Sequence, residues 1–225
     1  GIGAETARLA AERGYAVARE PGTVRILALG DSYTLGAGVH ERDTYSARLA
    51  RMLNERRAES AKGLKYEVIN CGIAGYGIAD AERLYLTLGR RLHPDLVLVG
   101  LVPGDDQSGD YRAAGALPPS PWPIEHLFSS IARLRLWSWS RSTSPQSVNR
   151  IVEGVLALRD SAQQDSARLA VMVFDDGSTP PGRALEEGAV SRLRESDVPV
   201  TTLGSQLRVI ARQDRNALDV GVLLG

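Results

Sequence analysis

Apolar residues recur along this chain with two alternating periods. Runs of consecutive apolar and β-branched residues stand at 24–29 (VRILAL), 66–70 (YEVIN), 95–101 (DLVLVGL), 168–174 (RLAVMVF) and 198–203. Turn-forming or polar residues bound each run, the signature of buried strands. Between them apolar residues fall at helical spacing. The segment 44–59 carries Tyr45, Leu49, Met52 and Leu53 on one face, with Asp43 as its expected N-cap. Further helices are predicted over 78–92, with Asp80 and Glu82 in the first turn, and over 124–139, 147–164, 183–195 and 205–212. Residues 103–123 read as a loop ending in PPSPWP, and Pro180-Pro181 as part of a turn. Strands separated by helices imply right-handed crossovers and a parallel sheet. The expected fold is a three-layer α/β/α sandwich with a five-stranded parallel sheet of flavodoxin-like character. In such sheets ligands bind beyond the carboxyl ends of the strands.

A length of 225 residues suits one such domain. The expected organisation is a lead-in over 1–22 and a domain over 23–225, with an insertion at about 103–145. The 27 basic and 27 acidic residues cancel, so bulk charge points neither to nucleic acid nor to an anionic membrane surface. No apolar run has the length of a membrane span. The single cysteine, Cys71, rules out an intramolecular disulfide. The chain opens with Gly1-Ile2-Gly3 and carries no signal-peptide pattern. Export or anchoring through an upstream segment is therefore an expectation only, and compartment and oligomeric state stay open.

Three strand ends carry unusual sequence. After the first stands Gly30-Asp31-Ser32-Tyr33-Thr34-Leu35-Gly36. A serine there can expose its hydroxyl beside backbone N–H groups able to receive negative charge. Read alone, it is equally a glycine-rich turn with Ser32 as a helix N-cap. After the second stands Asn70-Cys71-Gly72-Ile73-Ala74-Gly75-Tyr76-Gly77, whose glycines suit either close approach to a ligand or entry into a helix. After the third stands Gly100-Leu101-Val102-Pro103-Gly104-Asp105-Asp106, where adjacent acids are either solvated or used.

Together these three blocks resemble the GDSL/SGNH hydrolases, and the likeness runs from about Thr23 to the C-terminus. The resemblance implies an esterase or lipase in which the serine of GDSYTLG, Ser32, is the nucleophile. It places the oxyanion-hole glycine on Gly75, within NCGIAGYG. The strand introduced by Pro94-Asp95 leads to the third block, where the family's oxyanion asparagine falls on Gly104 or Asp105. Asp31, Gly104 and Asp106 are expected on the substrate side. No cofactor and no metal is implied, and the substrate would be a small or glycan-linked ester.

Two departures qualify that reading. Neither Gly104 nor Asp105 carries an amide, and losing one oxyanion donor costs about 10²–10³ in rate. The family's base is a histidine three residues after an aspartate. The three histidines here, His40, His93 and His126, follow Ala37, Arg90 and Pro123 at that spacing. The closing residues 218–225 resemble the lead-in to that block, so the expectation is a chain that stops short of its Asp–His pair and is inactive or weak as given. His40 reads as a solvated loop residue, His93 as lying at the far edge of the sheet, and His126 as a helix-surface residue. Trp122, Trp137 and Trp139 read as core packing before an acyl-binding wall, and Asp175 and Asp176 as a turn. The alternative function is a non-catalytic relative binding a glycan or acyl ligand. A nucleotide site is disfavoured, because no GxxxxGK[ST] stretch exists and no strand precedes Gly1-Ile2-Gly3.

Overall fold

The computed structural model describes residues 18–58, 64–103, 145–174 and 180–203. Within them lie five strands: β1 (Thr23–Gly30), β2 (Lys65–Gly72), β3 (Leu96–Leu101), β4 (Arg168–Val173) and β5 (Val200–Thr202). They form one sheet in the order β2-β1-β3-β4-β5, and every neighbouring pair is parallel. The expected α/β sandwich with a five-stranded parallel sheet is what the chain adopts. The winding reverses between β1 and β3, and a crevice opens at the carboxyl edge at such a point.

The helices are α1 (Ser32–Leu35), α2 (Tyr45–Ala58), α3 (Ile78–Thr87), α4 (Pro145–Gln164) and α5 (Pro180–Glu195). One sheet face is covered by α2, whose Tyr45, Leu49, Ala50 and Leu53 pack on Ile26, Ala28 and Val68. The opposite face carries α3, α4 and α5. Their apolar stripes, such as Ile78, Ala81 and Tyr85 or Leu185, Ala189 and Leu193, meet Leu27, Leu29, Val97, Val99 and Val171. No helix among the described residues is long and apolar enough to cross a membrane.

Several boundaries differ from the sequence reading. Asp43 does not cap α2. It closes a 3₁₀ turn (Glu41–Asp43), and Thr44 takes over, its Oγ1 accepting from Ala47 N–H at 3.3 Å. The helix expected over 78–92 breaks at Leu88 into a second 3₁₀ turn, Gly89–Leu92. Gly89 lies so close to the core that a β-carbon would come within 2.7 Å of Leu27 Cδ2. The last helix starts at Pro180 rather than 183, so Pro180 and Pro181 occupy its first turn, where no N–H is missed. The helices expected over 124–139 and 205–212 lie outside the described residues.

Polar groups tie the amino edge of the sheet together. Arg25 is 1% exposed, yet its guanidinium donates to Glu67 Oε2 and to the Leu92 carbonyl, both at 2.7 Å. Asp95 Oδ2 accepts from Arg25 N–H at 2.8 Å and from Arg19, so the Pro94-Asp95 step that opens β3 anchors β1 as well. Nearby, Asp165 at the end of α4 receives a two-pronged bond from Arg90 and the hydroxyl of the buried Tyr85 at 3.0 Å. Burial, with Asp165 behind it, pushes the Tyr85 hydroxyl well up; the Arg90 hydrogen bond holds Asp165 below its ordinary value.

A carboxyl held low in the folded chain contributes stability above its unfolded-state value near pH ~4 and loses it as pH falls through the folded value. Asp165→Asn is therefore expected to lower the thermal midpoint by several degrees at pH 7. The gap to wild type should narrow as pH drops from 5 towards 3, read by circular dichroism melts across that range.

Candidate functional site

The carboxyl ends of β2, β1 and β3 are in register at three glycines: Gly30 pairs with Gly72 on one side and with Gly100 on the other. The helix α1 lies directly on this row. A β-carbon on Gly72 would stand 2.2 Å from Leu35 N and 2.5 Å from the Thr34 carbonyl carbon. On Gly30 or Gly100 it would stand 2.3 Å from Thr34 Oγ1. At Gly72 the helix backbone takes the place of a β-carbon, and at Gly30 and Gly100 the Thr34 side chain takes it. Gly72, which the sequence offered for close approach to a ligand or for entry into a helix, is thus, together with Gly30 and Gly100, a seat for a helix.

The seat is fastened from three directions. Thr34, fully buried, points into the sheet and accepts from the Tyr45 hydroxyl at 3.2 Å. Burial pushes that hydroxyl up to about 12, so it stays protonated and remains a donor throughout the neutral range. Phe174, just past β4, lies between Tyr33 and Tyr45, with ring centroids 5.6 Å from each. Asn70 Nδ2 donates to the Thr34 carbonyl at 2.8 Å and, more weakly, to the Leu35 carbonyl at 3.5 Å, while Asn70 Oδ1 accepts from Gly72 N–H at 3.0 Å.

Ser32 is the first residue of α1, immediately past the end of β1. It is not the cap. Asp31 is, with Oδ1 accepting from Tyr33 N–H at 2.9 Å, so the Ser32 hydroxyl is spared that task. Asp31, expected on the substrate side, is 2% exposed and spends its carboxylate on the turn. Gly36 ends the helix in the left-handed region at φ 80°.

Gly75 lies in the tight turn after β2, closed by Tyr76 N–H on the Ile73 carbonyl at 3.1 Å. Its φ of 78° is one that side-chain-bearing residues seldom adopt. The turn is hung from β1, because Ile73 N–H donates to the Gly30 carbonyl at 3.0 Å. Ser32 and Gly75 therefore share the carboxyl edge, each within two residues of that bond. Gly104, Asp105 and Asp106 lie outside the described residues, as do His126, Asp175, Asp176 and the three tryptophans.

Of the described histidines, His93 stands before β3, at the amino edge. The paired stretch Leu96–Gly100 alone spans roughly 13 Å, which removes His93 from Ser32's reach. His40 is exposed, in the loop leading to α2. No three His, Cys, Asp or Glu side chains among the described residues converge as a metal site.

No protein-family model and no curated protein matches the chain. Solved structures do. A protein described as lipolytic and of the G-D-S-L family, from Desulfitobacterium hafniense DCB-2, aligns with a TM-score of 0.52 at 13% identity, over 82% of this chain and 79% of its own. The acetyl xylan esterase AlAXEase aligns with a TM-score of 0.52 at 13% identity, over 86% of this chain and 84% of its own. The chain has the fold of the GDSL/SGNH hydrolases. At such identities the likeness speaks for the architecture alone.

The glycine row gives a direct test of that edge. Gly72→Ala meets backbone rather than a movable side chain and is expected to cost about 1–3 kcal/mol, the usual range for overpacking. Gly38→Ala, with open space around it, meets only the strain of its positive φ and should cost less. Urea denaturation midpoints of the two variants check the order.

Proposed function

We propose that this chain is a serine-dependent carboxylic ester hydrolase working through an acyl-enzyme, with Ser32 as nucleophile. The observation that carries the reading is the place of Ser32. It opens a helix at the carboxyl edge of a parallel sheet, beside the winding reversal, with its capping duty taken by Asp31. In this reading Ser32 Oγ attacks the ester carbonyl, and the N–H groups of Ser32 and Gly75 receive the charge that develops on oxygen. The serine proton leaves with the alcohol as the ester C–O bond breaks, and water then releases the acyl group as a carboxylic acid and restores the Ser32 hydroxyl. The substrate is a small or glycan-linked ester, in keeping with the acetyl xylan esterase and the lipolytic protein that share the fold.

The third oxyanion position is the weak element. If Asp105 occupies it, an ionised carboxylate faces the developing oxyanion. Two like charges about 4 Å apart repel by about 4 kcal/mol at an effective dielectric of 20. The base is the second weak element, since no Asp-x-x-His pair exists among the 225 residues. The missing amide favours the alternative reading, a non-catalytic domain of the same fold that binds a glycan or acyl ligand.

Hydrolysis of p-nitrophenyl acetate by the purified protein decides between them. Ser32→Ala is expected to lower kcat by about three orders of magnitude or more wherever wild type is active; equal rates would remove Ser32 as nucleophile. Asp105→Asn is expected to raise kcat by about 10-fold or more, by restoring an amide donor and removing a charge. An unchanged rate would take Asp105 out of the oxyanion site.

A further inference from the structure

Ser32 and Gly75 stand on different loops, so their separation depends on whatever joins those loops. One side chain does so directly. Asn70, on the sheet face that carries α1, donates to the Thr34 carbonyl at 2.8 Å and to the Leu35 carbonyl at 3.5 Å, and accepts from Gly72 N–H at 3.0 Å. The first two atoms belong to the helix that Ser32 opens. The third opens the turn that presents Gly75. A helix as short as α1 has few bonds of its own: Leu35 N–H to the Asp31 carbonyl at 2.9 Å, and Gly36 and Ala37 N–H to the Ser32 carbonyl at 3.0 Å. Its last carbonyls would otherwise lack a partner within the helix.

We propose that Asn70 is a positioning residue for the esterase chemistry: one carboxamide, bonded to α1 and to Gly72 at the end of β2, from which the turn carrying Gly75 runs, sets the distance between the Ser32 nucleophile and the Gly75 amide. The proposal rests on the serine-hydrolase reading above. It goes further by assigning the geometry of the pair to a residue that touches neither substrate nor reacting atoms.

The fold supplies its own control. Asn54 makes the same kind of link on the same side of the sheet. Its Nδ2 donates to the Ala50 and Tyr66 carbonyls at 2.7 and 2.8 Å, and its Oδ1 accepts from Tyr66 N–H at 3.0 Å. It joins α2 to the amino end of β2, far from Ser32. Each asparagine bonds a helix to β2 through its carboxamide, and of the two only Asn70 reaches α1.

The test compares Asn70→Ala, Asn70→Asp and Asn54→Ala in the full-length protein, by p-nitrophenyl acetate kinetics and by hydrogen exchange at the amides of Leu35, Gly36 and Ala37. Asn70→Ala is expected to lower kcat by about 10- to 100-fold, as a misplacement of about 1 Å does, with KM within about twofold, and to speed exchange at those amides. Asn54→Ala should lower the thermal midpoint by a similar amount with kcat within about twofold. Should Asn70→Ala fail to fold, Asn70→Asp decides: it keeps the acceptor for Gly72 N–H, loses the donor to Thr34, and is expected to lose kcat likewise. Equal losses of kcat in the Asn54 and Asn70 variants, or wild-type kcat in a folded Asn70 variant while Ser32→Ala is inactive, would overturn the positioning role and leave the nucleophile intact. A fully active Ser32→Ala, or an inert wild type, removes the esterase chemistry and this role with it. Exchange at Leu35 and Gly36 then separately reports whether Asn70 holds α1.

Discussion

A helix backbone resting on a sheet at van der Waals distance leaves no volume for a β-carbon between them. That constraint governs the carboxyl edge of this molecule. Gly72, Gly30 and Gly100 sit side by side on three neighbouring strands, and the single turn of helix that begins at Ser32 is lowered onto them. Everything else at the edge follows from that contact. Thr34 can reach Tyr45 only because it is pressed into the sheet, Asn70 can reach the Thr34 carbonyl only because the helix end is low, and Phe174 can bracket Tyr33 and Tyr45 only because both approach the end of β4.

The energetics favour a rigid platform over a flexible loop. A four-residue helix has almost no stability of its own, because nucleation costs more than so few bonds return. Tertiary contacts must hold it. Here they are a buried hydroxyl pair, an aromatic bracket and a carboxamide that satisfies carbonyls at the helix end. The aspartate cap completes the set by leaving the neighbouring serine hydroxyl uncommitted to the turn. In the proposed reading, such packing would fix the approach of Ser32 to a carbonyl before the substrate arrives.

Much of this architecture was legible in the sequence, because each element's apolar period is strong. The run VRILAL became β1, and Tyr45, Leu49 and Leu53 became the face of α2 that covers it, while Met52, expected on the same face, is exposed. The parallel order followed from strands alternating with helices. The reading failed where several local signals competed. Asp43 and Thr44 both have the chemistry of a cap, and the 3₁₀ turn decided between them. Pro180 and Pro181 suit a turn or a first helical turn equally. At the site, Ser32 and Gly75 were picked out by motif, but the purpose of Gly30, Gly72 and Gly100 was not. A glycine's role depends on what lies across from it, and register between distant strands is not written in any local window. Asn70 was visible only as part of a glycine-rich block. The signal that marks it, an asparagine two residues before a strand-end glycine, acquires meaning once α1 is known to lie above.

The glycine row also has a bearing on how the sheet is assembled. Shift β2 against β1 by two residues and the Asn70 side chain occupies the place of Gly72; shift β3 likewise and Leu98 replaces Gly100. Either would prop α1 off the sheet. At the other end of β1, the buried Arg25 guanidinium reaches Glu67 on β2 and the Leu92 carbonyl ahead of β3, and a shift would strand that charge in the interior. The β1 strand is thus gauged at both ends, by missing atoms at one and by a satisfied cation at the other. A mispaired chain would be sterically refused at the same edge where Ser32 is displayed.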